Sequence, residues 1–176
     1  MPQNPNTDRS QFLPEETLKA VQAFENLDTD AKLGWFYLIY KKMGDSVTPA
    51  APQATDPELA PLLMGDYFTL SDEDQLAIMR DIVDRKDTDY SRAYGVLKEN
   101  NQLMVWYAWA QAMGDTVVDL PNDYQATNAI NELLGQLENL DFEQQISMFR
   151  EIASNMGYTD IQPAPSQAET GKTSSL

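Results

Sequence analysis

Seven aromatic side chains crowd two short stretches of the chain: Trp35, Phe36, Tyr37 and Tyr40 in one, Trp106, Tyr107 and Trp109 in the other. Two physical roles fit such stripes. As core filler they remove large apolar areas from water. Buried tyrosine and tryptophan, however, need a partner for their polar atom, which makes them costlier than leucine for plain packing. A seam of these rings, joined by the polarisable Met79, Met104 and Met113, also suits a long conjugated ligand held by stacking and dispersion. The residues alone leave both roles open.

Other chemistry is scarce. The sequence has no histidine and no cysteine, which removes most nucleophile–base pairs and most transition-metal sites. Asp28-Thr29-Asp30 could open a calcium loop, but Leu33 and Ile39 stand where glycine and a bidentate carboxylate are needed. Gly171-Lys172-Thr173 resembles the end of a phosphate-binding loop, but Ser166 replaces the required earlier glycine. The carboxylates fall mostly at helix starts and on polar faces, where solvation is their role. No enzyme is expected.

The elements that must position the rings read as helices. Asp28 to Met43 is predicted as one, with Asp28 as N-cap and Gly44 as C-terminal stop. Within it Leu33, Phe36, Tyr37 and Tyr40 share a face. Ser71 and Asp74 form a capping arrangement that opens a second helix to about Asp84. Glu99 to Met113 repeats the first pattern, with Leu103, Trp106, Tyr107 and Ala110 on one stripe, and Asp141 to Met156 repeats the second. Stretches near 14–26, 57–67, 88–97 and 127–139 read as further helices, and no stretch alternates with a period of two. The fold class is all-α.

A gapless internal repeat with an offset of 70 residues runs through this pattern. Met43-Gly44-Asp45-Ser46-Val47 recurs as Met113-Gly114-Asp115-Thr116-Val117. Leu33 matches Leu103, Tyr37 matches Tyr107, and Arg80 matches Arg150. Two related helical halves are predicted to pack together, and a groove between them is a natural ligand site. Arg150 has a structural reading as well as a functional one, since its repeat mate Arg80 suggests an arginine that pairs between helices. The loop at residues 48–56 joins helices of the first half, and residues 117–126 take the equivalent place in the second.

The 176 residues suit one domain, here residues 12–158, with polar extensions at 1–11 and 159–176. Residues 1–11 have neither a basic start nor an apolar stretch, so no leader is expected. The apolar runs Leu33–Tyr40 and Leu103–Ala110 are less than half the roughly 20 residues needed to span a bilayer. A formal net charge of −16, with no basic cluster, disfavours nucleic acid and reads as solubility. A cytoplasmic monomer is the expectation.

Several separated blocks carry a family resemblance. Lys32 to Pro52 (KLGWFYLIYKKMGDSVTPAAP), Gln75 to Thr88, Ser91 to Tyr94, Asn100 to Tyr107, Pro121 to Gln125 and Gln144 to Tyr158 keep their order and spacing. Together they resemble the N-terminal domain of the orange carotenoid protein and its stand-alone relatives, the helical carotenoid proteins. The resemblance implies two interleaved four-helix bundles with a ketocarotenoid (canthaxanthin, echinenone or 3′-hydroxyechinenone) in the groove between them. One terminal ring would be gripped by Tyr40 and Trp106. Leu33, Phe36, Tyr37, Met79, Leu103, Tyr107, Met113, Tyr124, Ile146 and Ala153 align with positions that line the tunnel. Arg150 aligns with an arginine that bridges to a regulatory α/β domain and supports docking to the phycobilisome. That domain is expected to be missing, which leaves the bridge without its partner. Tyr37 stands where a second ring-contacting tryptophan is usual, and Gln53 replaces a loop glycine. The implied role is photoprotection in a cyanobacterial cell, first by quenching singlet oxygen and second by quenching phycobilisome excitation. The rival is a helical interaction module without pigment. Chloride binding, a carotenoid-donating homologue of the regulatory domain, and a place near the cytoplasmic face of the thylakoid membrane follow from the same resemblance.

Overall fold

A computed structural model describes residues 13–43 and 60–160. Gly44 to Val47, the 48–56 loop with Gln53, residues 1–11 and the tail beyond 160 lie outside the described residues. Eight α-helices are found among the described residues: α1 (Glu15–Glu25), α2 (Thr29–Met43), α3 (Pro61–Met64), α4 (Asp72–Val83), α5 (Asp89–Gly95), α6 (Glu99–Gln111), α7 (Asn128–Glu138) and α8 (Phe142–Ser154). No strand occurs among them, only a lone bridge between Met113 and Val117.

The predicted caps are made. Asp28 accepts from the Ala31 N–H at 2.8 Å, Ser71 from Asp74 at 3.1 Å, and Asp141 from Gln144 at 2.8 Å. Gln144 returns a bond to the Asp141 N–H, completing a capping box. The stretch near 57–67 departs from expectation. Its α-helix covers only Pro61–Met64, and a 3₁₀ turn, Asp66–Thr69, follows. Gly65 sits between them in a non-helical conformation, with no room for a Cβ beside the Pro61 carbonyl at 2.8 Å. The helix predicted to Met113 stops at Gln111, because Gly114 turns the chain with a φ of +87°.

The internal repeat is visible in three dimensions. α2 and α6 occupy matching places, and both are buried on consecutive residues, Leu33 to Tyr37 and Gln102 to Trp106. A helix buried all round is a central one. α4 packs on α2 as α8 packs on α6. The first helix of each half crosses over: α1 packs on α7 and α8, and α5 packs on α3 and α4. Each bundle therefore borrows a helix from the other half, and the two four-helix bundles interleave. Arg80 donates through Nε to Asp30 at 2.8 Å, and its mate Arg150 donates through Nε to Asn100 at 2.9 Å. Both arginines are exposed and tie a late helix to the start of a central one. Of the two readings of Arg150, the structural one has a counterpart here in its bond to Asn100.

Candidate functional site

The aromatic seam forms where α2 meets α6. Phe36 and Trp106 are repeat mates, both fully buried, and their rings stack at 5.2 Å with 28° between planes. The stack therefore lies on the approximate two-fold axis relating the halves. Trp106 is held further: its Nε1–H donates to the Tyr94 hydroxyl at 3.0 Å, and that hydroxyl donates to the Ala153 carbonyl at 2.7 Å. Trp109 packs edge-on to Trp106 at 5.4 Å and stacks on Tyr67 at 3.9 Å, with its Nε1–H donating to the Leu63 carbonyl at 3.0 Å.

Toward one side, the Tyr37 hydroxyl points at Met79 Sδ, 2.7 Å away. Burial pushes this hydroxyl well above the ordinary tyrosine range, and neighbouring Tyr40 adds to the effect. Leu33, Gly34, Tyr37, Leu76, Leu120 and Tyr124 line a cavity of about 200 Å³ there. Its charged rim is internally paired, Asp30 with Arg80 and Asp119 with Lys41, so the space presents an apolar and aromatic wall with a neutralised edge. Gly34 makes the close approach of Tyr124 possible: a Cβ there would lie 2.0 Å from the Tyr124 hydroxyl oxygen. A larger cleft of about 580 Å³ opens among α1, α2, α4 and α8, but Glu25, Lys32, Asp84, Arg85 and Glu151 line it. For an apolar conjugated molecule the smaller cavity is the better match, because charged walls lose water without compensation.

The structure thus brings Leu33, Tyr37 and Tyr124 to one cavity, with Met79 behind Tyr37, and places Phe36 against Trp106. Tyr40 and Trp106, expected as the two jaws of one clamp, have different ring partners, for Tyr40 faces Tyr107 at 5.6 Å. Leu103 and Ala153 are buried, Met113 and Ile146 pack half-buried against the core, and Arg150 is exposed. Sequence reasoning missed Tyr94 and Gly34. The signal for Tyr94 was present in the repeat: it is the mate of Phe24, which packs on Phe36 at 5.8 Å as Tyr94 packs on Trp106 at 6.1 Å.

Trp35 has another neighbourhood, among Phe24, Phe36 and Phe149. It is fully buried, and its Nε1–H has no hydrogen-bond partner among the described residues. Trp35→Phe removes that orphan donor but leaves a cavity, and the relief of the donor offsets part of the cavity cost, so stability is expected to fall by only about 1 to 2 kcal/mol. Urea unfolding checks this, and a loss above about 4 kcal/mol, beyond what the cavity accounts for, would show that the N–H has a partner.

Comparison with known proteins identifies the family. Residues 10–159 match the family described as "Orange carotenoid protein, N-terminal". An "Orange carotenoid-binding domain-containing protein" of Nostoc sp. (strain PCC 7120) is 36% identical over 78% of this chain and 81% of its own length. The "Orange carotenoid-binding protein" of Synechocystis sp. is 28% identical over 88% of this chain, which spans only 48% of that protein. Among solved structures, the red carotenoid protein of Anabaena (Nostoc) sp. binding canthaxanthin superposes with a TM-score of 0.71 at 38% identity, covering 81% of this chain and 99% of its own. The orange carotenoid protein of the same organism, also binding canthaxanthin, gives 0.75 at 25% identity over 88% of this chain and 52% of its own. The family's domain is a non-catalytic module. The chain belongs to the family of the orange carotenoid protein's N-terminal domain.

Proposed function

We propose that this chain holds one ketocarotenoid between its two helical halves and serves as a singlet-oxygen quencher. The observation that carries the reading is the Phe36–Trp106 stack on the approximate two-fold axis, beside an apolar cavity with a neutralised rim. A bound carotenoid would supply the low-lying excited state that accepts energy from singlet oxygen and releases it as heat. The protein's own part is passive. Tyr40 and Tyr107 would offer ring faces, Phe36 and Trp106 would do so once their stack parts around the polyene, and Leu33, Tyr37, Tyr124 and Met79 would form an apolar end wall. Leu103, Met113, Ile146 and Ala153 would complete the lining. Cation or acid–base chemistry has no part in it, and the buried tyrosine hydroxyls stay protonated across the physiological range.

Canthaxanthin is the first choice of pigment, with echinenone and 3′-hydroxyechinenone behind it, because it is what the similar solved structures are described as binding. Phycobilisome quenching ranks second. Arg150, the residue that would serve it, is engaged with Asn100 as Arg80 is with Asp30, which supports a strut rather than a docking contact. Among the described residues no helix is long and apolar enough to cross a membrane. We place the protein as a cytoplasmic monomer in a photosynthetic cell.

Production in cells that make canthaxanthin is expected to give orange or red protein, with absorbance red-shifted from the free pigment because the seam flattens and polarises the polyene. Spectra of the purified protein test this. Colourless protein of full helical content, recovered repeatedly from such cells, would overturn the reading in favour of an interaction module.

A further inference from the structure

The two halves of the seam are related by the repeat but differ in one respect. In the first half Phe24 and Phe36 pack at 5.8 Å, and neither ring has a polar atom. In the second the mates Tyr94 and Trp106 pack at 6.1 Å, each with a polar atom, and those atoms bond to each other. Both residues of the second pair are fully buried. A bare Trp106 N–H there would carry a desolvation penalty, and so would a bare Tyr94 hydroxyl. Paired, and extended to the Ala153 carbonyl, they form a short chain from α6 through the Tyr94 hydroxyl on α5 to α8. Such a chain fixes the rotation of the indole about its own bonds, which stacking against Phe36 alone leaves softer.

α5 is itself anchored. The Gln102 side chain donates to the Tyr94 carbonyl at 3.1 Å, and the Tyr158 N–H donates to the Ser91 carbonyl at 3.1 Å. Gly157 lies against Tyr94 so closely that a Cβ there would be 2.5 Å from its ring. Arg92 covers the Tyr158 ring at 4.7 Å. The segment after α8 therefore clamps the helix from which Tyr94 reaches Trp106.

We propose that Tyr94 is a positioning residue for the pigment site: it holds the Trp106 indole in one orientation and so makes a two-fold-related seam directional, with a rigid ring holder in the second half and a softer one in the first. The proposal rests on the carotenoid reading above. Its test is a double-mutant cycle of Tyr94→Phe and Trp106→Phe, read by canthaxanthin uptake, by visible circular dichroism of the bound pigment, and by hydrogen exchange of the Trp106 indole N–H in pigment-free protein. Tyr94→Phe is expected to keep its helix content, speed indole exchange at least tenfold, lower canthaxanthin affinity about tenfold and weaken the visible dichroism. In the Trp106→Phe background the same change is expected to alter uptake less than twofold, because no indole remains to be held. A purely structural tyrosine would lower affinity equally in both backgrounds, and that result overturns the proposal, as does unchanged dichroism in Tyr94→Phe. Should Tyr94→Phe fail to fold, the conservative Trp106→Phe arm decides, since a dichroism equal to wild type there shows that the indole's orientation is irrelevant. Wild-type protein that takes up no canthaxanthin removes the underlying reading and this proposal with it, whereas normal uptake with additive effects removes the proposal alone.

Discussion

Replacing Gln75 by leucine is expected to lower the stability of the fold by about 2 to 4 kcal/mol. The side chain is fully buried at the fourth position of α4 and makes three bonds. Its Nε2 donates to the Tyr67 carbonyl at 3.0 Å and to the Thr116 carbonyl at 2.8 Å, and its Oε1 accepts from the Val118 N–H at 2.8 Å. Tyr67 keeps a second partner, the Leu70 N–H, but the Thr116 carbonyl and the Val118 N–H would lose this one. Thr116 is exposed and Val118 half-buried, so each group so stranded costs part of the roughly 1 to 3 kcal/mol typical of a buried one, on top of the lost bonds. These bonds also fasten the first half to the 116–118 turn of the second, so a loosened turn would reach the cavity wall at Val118 and Leu120. Domains of this size have only about 5 to 15 kcal/mol in total, so the change is a large share. Urea unfolding followed by circular dichroism measures it, and a loss below about 1 kcal/mol would show that water replaces the amide.

Helix type and order were legible because the apolar period, the caps and the repeat agree with one another. Asp28, Ser71 and Asp141 each announce a helix start, and each makes its bond. The 70-residue offset announced two halves, and the Arg80–Asp30 and Arg150–Asn100 bonds are its direct consequence. The crossing of α1 and α5 between bundles was not readable from the residues. Helix periodicity gives the buried face of α1 but not which partner covers it, and only the family resemblance supplied the interleaving. The short α3 was overestimated because Gly65 and the 3₁₀ turn interrupt an apolar pattern that itself continues.

The seam was legible as residue types and less so as geometry. In the structure Phe36 packs on Trp106 and Tyr40 on Tyr107, pairings that the stripes on α2 and α6 did not specify. Which face of each ring remains for a ligand depends on residues far away in sequence. Tyr94 reaches Trp106 from a seven-residue helix, and Tyr124 lies on Gly34 from an irregular loop. Neither contact has a local period to reveal it. Gly34 falls inside a helix, where glycine is ordinarily unfavourable by about 1 kcal/mol relative to alanine. An unfavourable residue inside a strong helix pattern was therefore the available sign of close packing.

Alkali is expected to unfold this protein cooperatively between about pH 11 and pH 12, with the tyrosinates of Tyr37, Tyr67 and Tyr94 appearing only as the helices melt. Tyr37, Tyr67 and Tyr94 are buried, and burial pushes each hydroxyl well above the ordinary tyrosine value of about 10. Near Tyr37 and Tyr67 neighbouring tyrosines act in the same direction, whereas the bond from Trp106 partly offsets the rise at Tyr94. The sign follows from proton counting. Below about pH 10 both folded and unfolded chains hold these protons, and the groups have no effect on the balance. Above it the unfolded chain releases them while the folded chain retains them, so stability falls until the folded hydroxyls titrate as well. At about pH 11.5 each such tyrosine shifts the balance by about 2 kcal/mol toward unfolding, or about 6 kcal/mol for the three. That matches the lower part of the usual stability range, and repulsion among the chain's excess carboxylates adds to it. In one titration, the part of the 295 nm absorbance that is lost when Tyr37, Tyr67 and Tyr94 are each replaced by phenylalanine should move with the helical circular dichroism. Tyrosinate signal from Tyr37, Tyr67 and Tyr94 rising near pH 10 with the helices intact would show that these hydroxyls reach water in the folded protein. The seam around Trp106 would then be open rather than packed.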